Sequence, residues 1–116
     1  MKIVLNFPDA ITAPCFSKEF LQGMLDRMAT SYFKYGPVTP ESLAKRDLPL
    51  TLRTRLATYE NDGNTEWLMD VANFAMIEFM CPKHTNAHFR PTEGAESPGV
   101  QLLDGSSTHK HTRDLS

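Results

Sequence analysis

The run from Asn64 to Met80, Asn-Thr-Glu-Trp-Leu-Met-Asp-Val-Ala-Asn-Phe-Ala-Met-Ile-Glu-Phe-Met, constrains the fold more than any other stretch of the chain. Gly63 opens it and Pro82 closes it. Apolar residues at Trp67, Leu68, Val71, Ala72, Phe74, Ala75, Ile77 and Phe79 follow helical spacing and not the alternation of a strand. So many apolar positions predict a central helix buried over most of its circumference. Asn64 or Thr65 can cap its first turn, and Glu66 suits the positive end of the helix dipole. At about 100° per residue, Glu66, Asp70 and Asn73 share a narrow arc, so one polar stripe runs along an otherwise apolar helix.

A chain of 116 residues is one domain by length, with a modest core that a second copy can enlarge. The fold expected is mainly α: a small helical bundle completed by dimerisation, with an extended N-terminal segment and an irregular C-terminal tail. Residues 1–92 are assigned to the helical domain and 93–116 to a polar, flexible tail. A formal charge of -2 provides no global basic field, which argues against nucleic acid as a partner. Cys15 and Cys81 stand far apart with no disulfide-scaffold pattern, as expected in a reducing cytosol. No apolar run reaches the length of a signal or membrane-spanning segment, so a soluble cytoplasmic protein is expected.

Lys2 to Phe7 reads as a short strand ended by Pro8. Ser17 caps a helix running to about Phe33, with Phe20, Leu21, Met24, Leu25, Met28 and Tyr32 as its apolar stripe. Gly23 weakens that helix by about 1 kcal/mol relative to alanine and marks close approach of another backbone. Tyr35-Gly36-Pro37 ends the helix. Thr39-Pro40-Glu41 starts a short helix that Asp47-Leu48-Pro49 interrupts. A third helix follows over Leu50 to Glu60, with Arg53 and Arg55 on a basic outer face and Leu52, Leu56 and Tyr59 turned inward. Asn61-Asp62-Gly63-Asn64 is a tight corner, so the third and fourth helices pack as a hairpin. Residues from Ser106 onward read as disordered in isolation.

Carboxylates projecting from facing helices can hold magnesium, which takes oxygen ligands and bridges to substrate phosphates. Glu66 and Asp70 have the spacing for metal ligands. Glu19, Gln22 and Asp26 on the first long helix can supply the opposing side, with Glu19 or Asp26 as catalytic carboxylate or base. Lys34, Arg53 and Arg55 are candidates for phosphate, and Asn73 for the ligand. The competing interpretation is structural: Glu66 serves the helix start, Asp70 pairs with an arginine and Asn73 hydrogen-bonds a loop. Cys81, His84 and His88 lack the second paired ligands of a structural zinc site, and nothing nearby favours a Cys81 thiolate.

The segment Glu66-Trp-Leu-Met-Asp70-Val-Ala-Asn73-Phe-Ala resembles the second metal motif of the MazG-like, all-α nucleoside triphosphate pyrophosphohydrolases. Tyr32-Phe-Lys-Tyr-Gly36 is similar to a Lys-Tyr-Gly stretch of phage members of that group, and residues 86–99 resemble small bacteriophage proteins. The resemblance implies an all-α homo-oligomer in the host cytoplasm that binds nucleotide, with magnesium on Glu66 and Asp70 and pyrophosphohydrolysis as its reaction. Two positions depart from the family pattern: Gln22 stands where a carboxylate is expected after Glu19, and Trp67 where a second glutamate follows Glu66. A second class of function follows from those departures. It is a non-catalytic phage protein that sequesters a nucleotide signal, or that inhibits a host or defence protein.

Overall fold

The computed structural model describes Val4, Asn6 and residues 15–108. Four α-helices follow in order: α1 (Lys18–Tyr35), α2 (Pro40–Leu43), α3 (Leu48–Asp62) and α4 (Glu66–Met80). The mainly helical expectation holds, and no strand forms among the described residues. Most of the strand read over Lys2 to Phe7, and His109 to Ser116, lie outside the described residues. No helix among the described residues is long and apolar enough to cross a membrane.

The helix boundaries are set by local chemistry. Ser17 accepts the Phe20 N–H at the start of α1, and Gly36 closes it with φ 82°, a conformation in which a side chain is strained. Thr39 and Ser42 bond reciprocally across the first turn of α2. Helix α3 begins two residues earlier than its apolar pattern suggests. Asp47 is its cap, accepting the Leu50 N–H at 3.0 Å, and Pro49 occupies the first turn, where a missing N–H has no intrahelical use. The motif read as an interruption is therefore a helix start. Gly63, with φ 75°, ends α3 in the left-handed region. Helix α4 then starts at Glu66, where the Asn64 side chain accepts the Glu66 N–H while Thr65 makes no side-chain cap.

The chain divides into two compact units, Met1–Lys83 and His84–Ser116. In the first, α4 packs along α3 and against α1. Its apolar core is small: Leu43, Leu48 and Ile77 are buried, with Met28, Val38, Phe74 and Cys81 packed around them. Among the described residues α1 contains no buried residue, whereas α4 buries Asp70, Asn73 and Ile77. The most buried line of the central helix thus includes Asp70 and Asn73 of the polar stripe, while Glu66 is exposed. Its other faces are only partly covered, and Phe79 and Met80 are exposed. The ammonium of Lys83 donates to the carbonyls of Leu43 and Arg46, tying the α2–α3 turn to the segment after α4.

The second unit is held by local bonds. Arg90 grips Glu96 at the 3-10 turn Gly94–Glu96, and a single bridge joins Gln101 to Ser107 around a turn at Gly105.

Candidate functional site

The site is built on Asp70, which is only 6% exposed. An ionised carboxylate cannot stay in such a place without partners. Arg27 of α1 forks onto it, with Nε 2.6 Å from Oδ1 and Nη2 3.0 Å from Oδ2. Arg55 of α3 donates from Nη1 to Oδ2 at 2.6 Å. Arg27 also reaches Glu66 at 2.9 Å. The hydrogen bonds it donates to Asp70 raise the Arg27 pKa above its ordinary value, opposed by desolvation and supported by the charges of Asp70 and Glu66. The Arg55 guanidinium lies 5.1 Å from the Phe74 ring centroid and 5.7 Å from that of Trp67. One carboxylate on α4 therefore joins three helices.

Asn73, one turn further along α4, donates from Nδ2 to the Met24 carbonyl of α1 at 2.9 Å. Its Oδ1 is buried and has no hydrogen-bond partner among the described residues. The amide orientation is fixed chemically, since only the NH2 group can donate to a carbonyl.

These groups open onto a cleft of about 840 Å³. Its lining includes four cations, Arg27, Lys34, Arg46 and Arg55, against one carboxylate, Asp70. Tyr32, Tyr35 and Phe74 supply aromatic surface, and Thr30, Ser31 and Ser42 supply hydroxyls. Among the described residues Lys34 and Arg46 form no ion pair. Among the described residues the cleft has an excess of positive charge and two cations outside any ion pair.

The structure groups the sequence candidates differently from expectation. Asp70, Asn73, Arg55 and Lys34 do line the cleft, and Glu66 joins through Arg27. Arg55 does not belong to an outer basic face with Arg53. Two residues apart on a helix is a rotation of about 200°, so when Arg53 faces solvent Arg55 turns inward. Glu19 and Asp26 are exposed and outside the cleft lining, and Asp26 accepts a hydrogen bond from Gln22 at 2.9 Å. What α1 brings to Asp70 is Arg27, the residue after Asp26. Its signal was readable: Arg27 is four residues from Gly23 and three from Met24, so a cation sits within the apolar stripe and needs an anion. Arg46, in the turn before α3, carries no such pattern.

Arg27 and Arg55 occupy the Asp70 oxygens that the magnesium interpretation assigns to the ion. Among the described residues no three acidic, histidine or cysteine side chains gather where they can share a metal. No family model, curated protein or solved structure matches the chain.

Proposed function

We propose that this protein binds a phosphorylated small molecule of the nucleotide class in the α1–α4 cleft and retains it without hydrolysis. The observation that carries this reading is four cations lining one cleft with a single carboxylate that two of them already neutralise. Lys34 and Arg46 are left to take phosphate oxygens, with guanidinium geometry favouring bidentate contact. Tyr32 and Tyr35 offer rings on which a base can stack. Retention without turnover is supported by the pairing of Asp70 with arginines, because magnesium-assisted hydrolysis needs carboxylate oxygens open to the ion.

Isothermal titration with nucleoside mono-, di- and triphosphates, with and without magnesium, tests the proposal alongside a pyrophosphate-release assay. Saturable binding that falls at least tenfold in Arg46→Ala, with no pyrophosphate released, is the expected result. Release above background removes the non-catalytic part, and no binding by any nucleotide removes the proposal. In that case capture of one stoichiometric host protein would favour the inhibitor class.

The proposal extends to a homodimer. Phe33 at the end of α1 and Phe79 at the end of α4, neither of them in the cleft lining, leave large apolar side chains exposed. Sedimentation equilibrium showing only monomer at micromolar concentration would exclude this extension.

A further inference from the structure

A second feature of the cleft narrows what it accepts. Asn73 is 6% exposed and lines the cleft, and its Oδ1 has neither solvent nor a described protein donor. Buried polar atoms of native proteins are nearly always paired, so such an oxygen calls for an account. Rotating the amide does not supply one, because the Nδ2 bond to Met24 would be lost and two oxygens would then face each other. No donor among the described residues reaches it, so its partner is either an internal water or a group of a bound molecule. On α4 the residue three positions away is Asp70, which Arg27 and Arg55 hold, and the cleft that Asn73 lines also carries Lys34 and Arg46, the two cations left for an anion.

We infer that Asn73 Oδ1 is a selectivity element that requires the bound anion to carry a hydroxyl or N–H donor close to its negative charge. This inference rests on the cleft being an anion site and specifies which anions it takes. A sulfate dianion offers only acceptor oxygens, which would meet Oδ1 oxygen to oxygen. Hydrogen phosphate has nearly the same size and charge and carries a P–OH. A nucleotide brings the equivalent donor as a sugar hydroxyl beside its phosphate. The cleft is therefore expected to take phosphate or a hydroxylated nucleotide and to reject sulfate. Because Oδ1 is shut from solvent in the unliganded protein, binding must be accompanied by a local adjustment of the neighbouring cleft side chains.

The test is a pair of NMR titrations on isotope-labelled protein at pH 7 and matched ionic strength, one with sodium phosphate and one with sodium sulfate. Arginine Nε–H and Asn73 side-chain signals serve as reporters. Phosphate is expected to bind about tenfold more tightly than sulfate, the size of one hydrogen bond made against one repelled. In Asn73→Ala the two anions should become equivalent. A parallel pair, a nucleoside monophosphate and its 2′,3′-dideoxy counterpart, assigns the donor: a sugar hydroxyl if the dideoxy compound weakens, the phosphate itself if only the inorganic pair differs. Either pattern supports the inference. Equal affinity of the wild-type protein for members of both pairs overturns it while leaving the anion cleft intact, and would mean that an internal water satisfies Oδ1. No response to any anion or nucleotide overturns both this inference and the cleft reading. These wild-type measurements decide the matter even if Asn73→Ala does not fold.

Discussion

The two halves of α4 are held by different chemistry. Its first two turns are joined to α1 and α3 by ion pairs and a guanidinium between aromatic rings, centred on Asp70. Its last two turns rest on an apolar cluster, with Ile77 against Leu43 and Leu48. An apolar cluster is non-directional, so residues of similar volume can substitute in it. A buried carboxylate held by two guanidiniums is directional, and changing one member alone leaves the others uncompensated, so single substitutions in it are tolerated poorly. The cleft is built across this division, with Asp70 and Arg27 from the polar half and Leu43, Leu48 and Ile77 from the apolar one.

The sharpest way to break this comparison is to make a drastic and a conservative change in each half. Leu48→Ala, at a position only 2% exposed, should cost about 3 kcal/mol through lost transfer energy and a cavity, while Leu48→Met should cost less than about 1.5 kcal/mol. Asp70→Ala should also cost about 3 kcal/mol, the low end for breaking a buried pair because both arginine side chains are 34% exposed. Here the conservative change should not help. Asp70→Asn keeps the shape but leaves Arg55 without its carboxylate and Arg27 with Glu66 alone, and about 2 kcal/mol should still be lost. Urea denaturation of the four variants decides the point, and the comparison fails if Asp70→Asn is as mild as Leu48→Met.

Much of the fold was legible from the chain, and the site only in part. Residues Ser17, Gly36, Thr39, Pro40 and Gly63 announce helix ends because capping and positive φ are local requirements. The start of α3 was misread because Asp-Leu-Pro is ambiguous between a break and a cap with proline in the first turn, and only the bond from Leu50 to Asp47 resolves it. The polar stripe on α4 was visible, yet its position on the most buried line of the helix was not. Apolar content predicts a helix buried over most of its circumference, whereas its apolar faces are left partly open and Asp70 and Asn73 are among its most buried residues. Which charges meet across helices depends on tertiary placement: Arg27 and Asp70 are 43 residues apart, and nothing in their spacing couples them.

Acid should find the polar half first. The Asp62 carboxyl is held below its ordinary value of 3.8 chiefly by the Asn64 backbone N–H and then by the Trp67 indole, whose Nε1 lies 2.9 Å away. A group with a lower pKa folded than unfolded contributes stability above the unfolded value and loses it as pH falls through the folded one. That contribution is present above pH 3.8 and disappears below it. Trp67 is the sole tryptophan, so its fluorescence should change in that acid window in the wild-type protein, and this component should be missing in Asp62→Asn. Identical acid titrations of the two proteins would show that the Asp62–Trp67 bond contributes nothing to the start of α4.

The smallest effect tests how α1 approaches the polar half. A Cβ built on Gly23 would lie 2.5 Å from both Cε and Sδ of Met69, so the two helices meet there with no room for a methyl group. In isolation, alanine for glycine inside a helix gains about 1 kcal/mol, because the unfolded chain loses conformational freedom. The obstructing atoms belong to the end of a flexible thioether, which can turn aside at a cost of similar size. Gly23→Ala alone is therefore expected to leave stability nearly unchanged. In a Met69→Ala background the obstruction is gone, and the same substitution should stabilise by about 1 kcal/mol. The double-mutant cycle should then give a coupling of at least about 0.5 kcal/mol. A coupling of zero would mean that Met69 does not limit the approach of α1, leaving Arg27 and the Asn73 bond to Met24 as the contacts that set it.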